Sequence, residues 1–281
     1  MAVTSLHGTL FVYSQQRRLV AFRTDVDSPD VVVLIGGLGD GLLFCDAVGL
    51  LASELQKHSI ALVQPVLRSS GPGWGTCSLA TDVEDLDDLV EHLHESGSRS
   101  VVLVGHSTGC QDAVHYLKLG KHANRVSAVV LQAPVSDREY FATLPDTAER
   151  LQLARDLVAE GKGQDVLPRA DSGSVPVSAS RWLSLAGQGG DDDMFSSDFS
   201  AQQLEEKLGH ITVPAGIVQS TADEYVPGHI DASANAHRLA GAMAQATVCV
   251  LEGARHVPEG EHASAFVRAV CETALKARTT A

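Results

Sequence analysis

Apolar residues recur along this chain in two patterns. The first is the short unbroken run: Val31-Val32-Val33-Leu34-Ile35, Val101-Val102-Leu103-Val104 and residues 126–134. Such runs suit strands covered on both faces, where neither side of the pleat meets water. The second is the helical repeat. Val83, Leu86, Leu89, Val90 and Leu93 share one face of a helix whose other face is acidic, and the spacing predicts further helices over about 43–57, 110–120, 230–243 and 261–276. Residues 59–67, 213–220 and 247–251 read as more strands, and 8–13 and 19–24 as an antiparallel pair at the start. Strand and helix alternate for most of the length, which predicts an α/β fold with a mostly parallel central sheet flanked by helices.

The alternation breaks between about residues 137 and 210. A helix is expected over 146–160, then a loop with Pro168, Gly173 and Pro176, a segment around Trp182, and the run Asp191-Asp192-Asp193-Met194-Phe195-Ser196-Ser197-Asp198. The stretch is too long for an ordinary connection and too varied for a flexible linker. It reads as a structured helical insertion, a cap or lid within a single domain spanning residues 1–281, a size that can bury a substantial core.

Charge and cysteine usage narrow the function. With 21 basic against 35 acidic residues the net charge is −14, and no long basic run is present, so nucleic acid is not an expected partner. No apolar stretch is long enough for membrane insertion. The five cysteines are scattered without a C-x-x-C pair, which points to a reducing compartment and a cytoplasmic protein.

The chemistry gathers where the Val101–Val104 strand runs into Gly105-His106-Ser107-Thr108-Gly109 and a helix. A strand, a sharp turn and a helix with serine at the apex is the nucleophile elbow. Its neighbours two positions away must be small so that the backbones can cross closely. Ser107 as a mere helix N-cap is the bland alternative. An acyl-transfer serine further needs a base, an acid to orient the base, and oxyanion donors. In the α/β-hydrolase order both partners follow the serine, each in a loop past a strand end.

Asp223 lies past the 213–220 strand in Asp223-Glu224-Tyr225-Val226-Pro227, and its position favours it over Glu224, which is left for a surface pair. His256 lies past the 247–251 strand. His229, His237 and His262 fall at or within predicted helices. The loop Gly36-Gly37-Leu38-Gly39-Asp40-Gly41 would bring a second backbone donor, so the expected oxyanion hole is the amides of Leu38 and Thr108. Asp40 is expected to cap the following helix, with a substrate contact near the serine as the alternative. The same glycines lack the full phosphate-binding spacing, and His256, Glu259 and His262 lack the H-E-x-x-H order. Neither a cofactor nor a metal is expected.

Longer motifs then carry a resemblance. The Gly36–Gly41 loop, Gly105-His106-Ser107-Thr108-Gly109-Cys110-Gln111-Asp112, Gln132-Ala133-Pro134-Val135-Ser136-Asp137-Arg138-Glu139, Met194-Phe195-Ser196-Ser197-Asp198 and Asp223-Glu224-Tyr225-Val226-Pro227 resemble a eukaryotic branch of the α/β hydrolases typified by the fungal siderophore esterase that acts on fusarinine C. The resemblance covers residues 31–260. It implies a serine esterase with Ser107, Asp223 and His256 as its triad and an insertion over 137–210. The expected partner is a small-molecule ester. A receptor-like protein that keeps the pocket with little turnover is the alternative.

Overall fold

The computed structural model describes residues 5–169 and 173–280. Eight strands form one sheet: β1 (Gly8–Ser14), β2 (Leu19–Thr24), β3 (Asp30–Ile35), β4 (Ala61–Pro65), β5 (Ser100–His106), β6 (Val126–Gln132), β7 (Ala215–Ser220) and β8 (Ala246–Leu251), in the order β1-β2-β4-β3-β5-β6-β7-β8. The pairs β1–β2 and β2–β4 are antiparallel, and every pair from β4 to β8 is parallel. This is the mostly parallel sheet expected from the alternating pattern.

The helices between and after these strands are α1 (Ala47–Lys57), α2 (Leu79–Glu95), α3 (Gly109–Leu119), α4 (Asp137–Phe141), α5 (Thr147–Ala159), α6 (Ala179–Ala186), α7 (Ala201–Leu208), α8 (Ala232–Gly241) and α9 (Gly260–Thr280). The unbroken apolar runs now have their cause. Val31, Val33 and Ile35 point into a core shared with α2, α3 and α8, whereas Val32 and Leu34 point to the opposite face, into a core shared with α1 and α9. With both faces covered, neither set of alternating side chains could be polar without cost.

The strand order also fixes where a site can form. From β3 the chain adds β4 on one side, then crosses to add β5 on the other. Loops leaving the carboxyl ends of β3 and β5 therefore diverge, and the crevice between them is where open α/β sheets hold ligands. Those two loops are Gly36–Gly41 and the Ser107 elbow.

Several boundaries depart from the sequence pattern for local reasons. Helix α1 begins at Ala47 and not near residue 43. Asp40 is consequently no cap; its carboxylate folds back and accepts the Gly37 N–H at 2.8 Å. The capping box of α2 is Ser78 with Thr81, one turn before the expected Thr81 and Glu84. Glu84 instead pairs with Arg68 and Arg17.

Between β6 and β7 lie α4 to α7, with residues 170–172 of this stretch outside the described residues. It has a small core of its own, in which Trp182, Ala154, Leu167 and Val177 pack with Phe141 and Trp74. Two of the quoted motifs interlock here. Ser136 bonds Ser196 at 2.6 Å, Arg138 pairs with Asp193 at 2.9 Å and also with Asp198, and Glu139 accepts from the N–H and hydroxyl of Ser197 at 3.0 and 2.7 Å. The two ends of the stretch are thus tied together before the chain returns to the sheet.

Candidate active site

Ser107 occupies the left-handed region at φ 54°, a conformation that costs a non-glycine residue on the order of 1–3 kcal/mol and persists only where its surroundings enforce it. The enforcement is visible. Its N–H donates to the Gln132 carbonyl at 3.0 Å, and its own carbonyl accepts from the Cys110 N–H at 2.8 Å. A Cβ on Gly105 would stand 2.2 Å from the Gly109 carbonyl oxygen, and one on Gly109 would stand 2.4 Å from the Ile35 carbonyl oxygen. The two glycines therefore let the elbow close on itself and let α3 press against the end of β3. Thr108, not Ser107, is the N-cap residue of α3, so capping does not account for the serine.

Asp223 follows β7 and His256 follows β8. Each is 5% exposed, and the Asp223 Oδ2 to His256 Nδ1 distance is 2.8 Å. The second oxygen of Asp223 accepts the Tyr225 N–H at 3.0 Å, which fixes the carboxylate plane. Tyr225 in turn meets the His256 ring edge-on at 4.6 Å. Among the described residues Ser107 makes no hydrogen bond to His256. Such contacts are commonly long in a ligand-free site and tighten once substrate binds.

Glu224 does more than form the expected surface pair. It does bind Arg255 at 2.9 Å, but its other oxygen accepts the His256 N–H at 2.9 Å. Burial alone would raise its carboxyl, yet the His256 amide, its own backbone amide and Arg255 outweigh that and hold it below the ordinary range. Consecutive acids thus serve one histidine, Asp223 at the ring and Glu224 at the backbone.

The Gly36–Gly41 loop closes on itself, with Asp40 N–H donating to the Gly37 carbonyl at 3.1 Å while the Asp40 carboxylate takes the Gly37 amide. Among the described residues the Leu38 and Thr108 amides donate to no protein acceptor. Gly37, Leu38, Asp40, Thr108, Trp74 and Arg181 line a narrow cavity of about 20 Å³. Asp82 and Asp112 line it too, and Arg181 binds the buried Asp192 at 2.6 Å. Burial pushes Asp82 up to about 6, Asp137 up to about 7 and Asp112 well above the carboxylate range.

Of the rival histidines that follow Asp223 in the chain, two lie on helices. His237 lies on α8, and His262, on α9, bonds the Glu252 carbonyl at 2.9 Å. Among the described residues no cluster of His, Cys, Asp and Glu is arranged to hold a metal, and no helix is long and apolar enough to cross a membrane.

Sequence reasoning passed over three residues that the structure puts against the site: His106, Gln132 and Tyr225. His106 stacks on Phe44 at 4.9 Å and lies 5.0 Å from the His256 ring, while its Nδ1 bonds the Gln132 side chain. A glutamine ending the otherwise apolar run Val129-Val130-Leu131-Gln132 is itself a signal, because a buried amide at a strand end must be satisfied by something nearby.

The sheet order, the elbow and the buried acid–histidine pair define an α/β hydrolase. The chain belongs to the family described as "Protein of unknown function (DUF1749)", whose pattern it matches over residues 1–277. It is 36% identical over 254 residues to a UPF0613 protein of Schizosaccharomyces pombe, with 80% of each chain covered. It is 31% identical over 286 residues to fusarinine C esterase sidJ of Aspergillus fumigatus, again over 80% of each chain. Among solved structures it resembles the siderophore hydrolase EstB from Aspergillus fumigatus, with TM-score 0.83, 26% identity and 99% of both chains covered.

Proposed function

We propose that this chain is a serine hydrolase that cleaves a carboxylic ester through an acyl-enzyme. The observation that carries the reading is the 2.8 Å contact between Asp223 and His256 at the crevice that holds the strained Ser107 elbow. Binding alone has no need of an imidazole oriented by a buried carboxylate.

In this mechanism His256 accepts the Ser107 proton as the hydroxyl attacks the ester carbonyl, and Asp223 keeps the ring in the tautomer with its bare nitrogen toward the serine. The oxyanion of the tetrahedral intermediate is met by the Leu38 and Thr108 amides, which await an acceptor. His256 returns the proton to the departing alcohol. Water then repeats the sequence on the acyl-enzyme, regenerating Ser107 and releasing the acid.

The names of two relatives, a fusarinine C esterase and a siderophore hydrolase, support an ester of the siderophore type as a substrate. The aromatic rim of Tyr225 against Tyr140, 5.0 Å apart, offers apolar surface to the substrate body. The stretch over 137–210 acts as a cap over this crevice within one domain. Five free cysteines fit a reducing compartment such as the cytoplasm.

The test is hydrolysis by the purified protein of a panel containing simple acyl esters and both ferric and iron-free hydroxamate esters. Release of acid and alcohol from the hydroxamate esters is expected. Turnover of the simple esters alone would remove the siderophore substrate, and tight retention of ligands without product would favour the receptor-like alternative.

A further inference from the structure

Gln132 touches both halves of the site without facing the crevice. It ends β6 and is 1% exposed. Its main-chain carbonyl accepts the Ser107 N–H at 3.0 Å and the Cys110 thiol at 3.2 Å. Its side-chain Nε2 donates to the His256 carbonyl at 3.0 Å, a contact spanning 124 residues of sequence. In the sheet β7 lies between β6 and β8, so this amide reaches past the intervening strand to hold the loop that follows β8. The geometry is set by the turn after it: Ala133 takes φ 53° and donates its N–H to the Val218 carbonyl at 2.9 Å, which bends the chain away and leaves the Gln132 side chain at the sheet end.

The amide's direction also determines its neighbour. Since Nε2 faces a carbonyl, Oε1 faces His106 Nδ1, and that nitrogen must carry the hydrogen. The His106 ring is held between Phe44 and His256. Burial, reinforced by the nearby His256, pushes His106 down to about 3, so the ring stays neutral and does not compete for the proton that His256 must take.

We infer that Gln132 is a positioning residue for ester cleavage: its main chain sets the Ser107 elbow, while its side-chain amide fixes the His256 loop directly and the His256 ring through His106. The inference rests on the proposed roles of Ser107 and His256. It assigns a function to the first residue of the Gln132–Glu139 motif, which the triad leaves unexplained.

Two substitutions separate positioning from packing, read as kcat and KM on p-nitrophenyl acetate and as the rate of inactivation by a fluorophosphonate. Gln132→Met keeps the shape and loses both side-chain hydrogen bonds. Its kcat is expected to fall about 10- to 100-fold with KM little changed, since small displacements of reacting groups have effects of this size. Gln132→Glu keeps the acceptor for His106 and, when ionised, puts an oxygen against the His256 carbonyl. Protonation restores an O–H donor there. The rate of this variant relative to the parent protein is therefore expected to rise as the pH is lowered from 8 to 6, a dependence that loss of packing would not produce.

In the unsubstituted protein, the Gln132 side-chain amide resonance is expected to shift when the fluorophosphonate modifies Ser107, a measurement independent of whether either variant folds. Parent-like kcat in a folded Gln132→Met, a relative rate of Gln132→Glu independent of pH, or an amide resonance indifferent to Ser107 modification would each overturn the inference. Absence of any Ser107 adduct in the parent protein would instead overturn the proposed function beneath it.

Discussion

Gly37 and Ser107 face each other across the crevice so closely that a Cβ on Gly37 would lie 2.7 Å from the Ser107 Cβ and 3.2 Å from its Oγ. The contact joins the loop after β3 to the elbow after β5. Gly37→Ala must therefore push either Ser107 or the Leu38 amide out of place. We expect kcat/KM for an ester to fall on the order of 10²-fold while the melting temperature changes by only a few degrees. Steady-state kinetics beside a thermal melt check this, and an unchanged rate would show that the Gly36–Gly41 loop is not part of the reacting site.

The consecutive acids offer a second comparison. Asp223→Asn removes the carboxylate bonded to the His256 ring, and in the Ser-His-Asp triad of a serine protease the analogous change costs on the order of 10⁴-fold in kcat. Glu224→Gln still accepts the His256 N–H and loses only its charge and the Arg255 ion pair, which is exposed. Its kcat is expected to stay within about tenfold of the parent, because exposed ion pairs contribute little. Equal losses from the two substitutions would mean that the acid has been misassigned.

Much of this arrangement was legible in the residues alone. The unbroken run Val31–Ile35 announces a strand buried on both faces, and the Gly105-His106-Ser107-Thr108-Gly109 pattern announces the turn that the structure shows with Ser107 at φ 54°. Chain order and places past strand ends single out Asp223 and His256, which the structure brings within 2.8 Å of each other. What stayed hidden depends on spatial neighbours far apart in sequence. The Gln132 amide meets His256 only because β6, β7 and β8 end together, and Glu224 meets the His256 N–H for the same reason. Asp40 looked like a helix cap because aspartate before a helical pattern usually is one; the start of α1 at Ala47 left it to hold the Gly37 amide. The pairing of Ser136, Arg138 and Glu139 with the 193–198 segment could not be inferred from two motifs whose separation in space was unknown.

The buried carboxylates around Arg181 are expected to make stability depend on pH. Burial, with Asp192 nearby, pushes Asp137 from 3.8 to about 7 against the opposing pull of Arg181 and Gln111. The folded chain therefore keeps a proton that the unfolded chain releases near pH 4, and stability falls as pH rises from about 4 to about 7. Asp82, pushed up to about 6, acts in the same direction. Asp137→Asn retains an oxygen for Gln111, which now donates at 2.7 Å, and removes the charge. Its melting temperature is expected to exceed the parent's by a few degrees at pH 8 and to match it near pH 4, about 2–4 °C for each kcal/mol involved. Thermal melts across this range would contradict the account if the variant gained nothing at pH 8.

The central claim is that Ser107 is the nucleophile, and intact-mass analysis after fluorophosphonate treatment tests it most directly. The account predicts a single covalent adduct on the parent protein, mapped to Ser107, and none on a folded Ser107→Ala variant. No adduct on the parent, or an adduct that persists in Ser107→Ala, would contradict it.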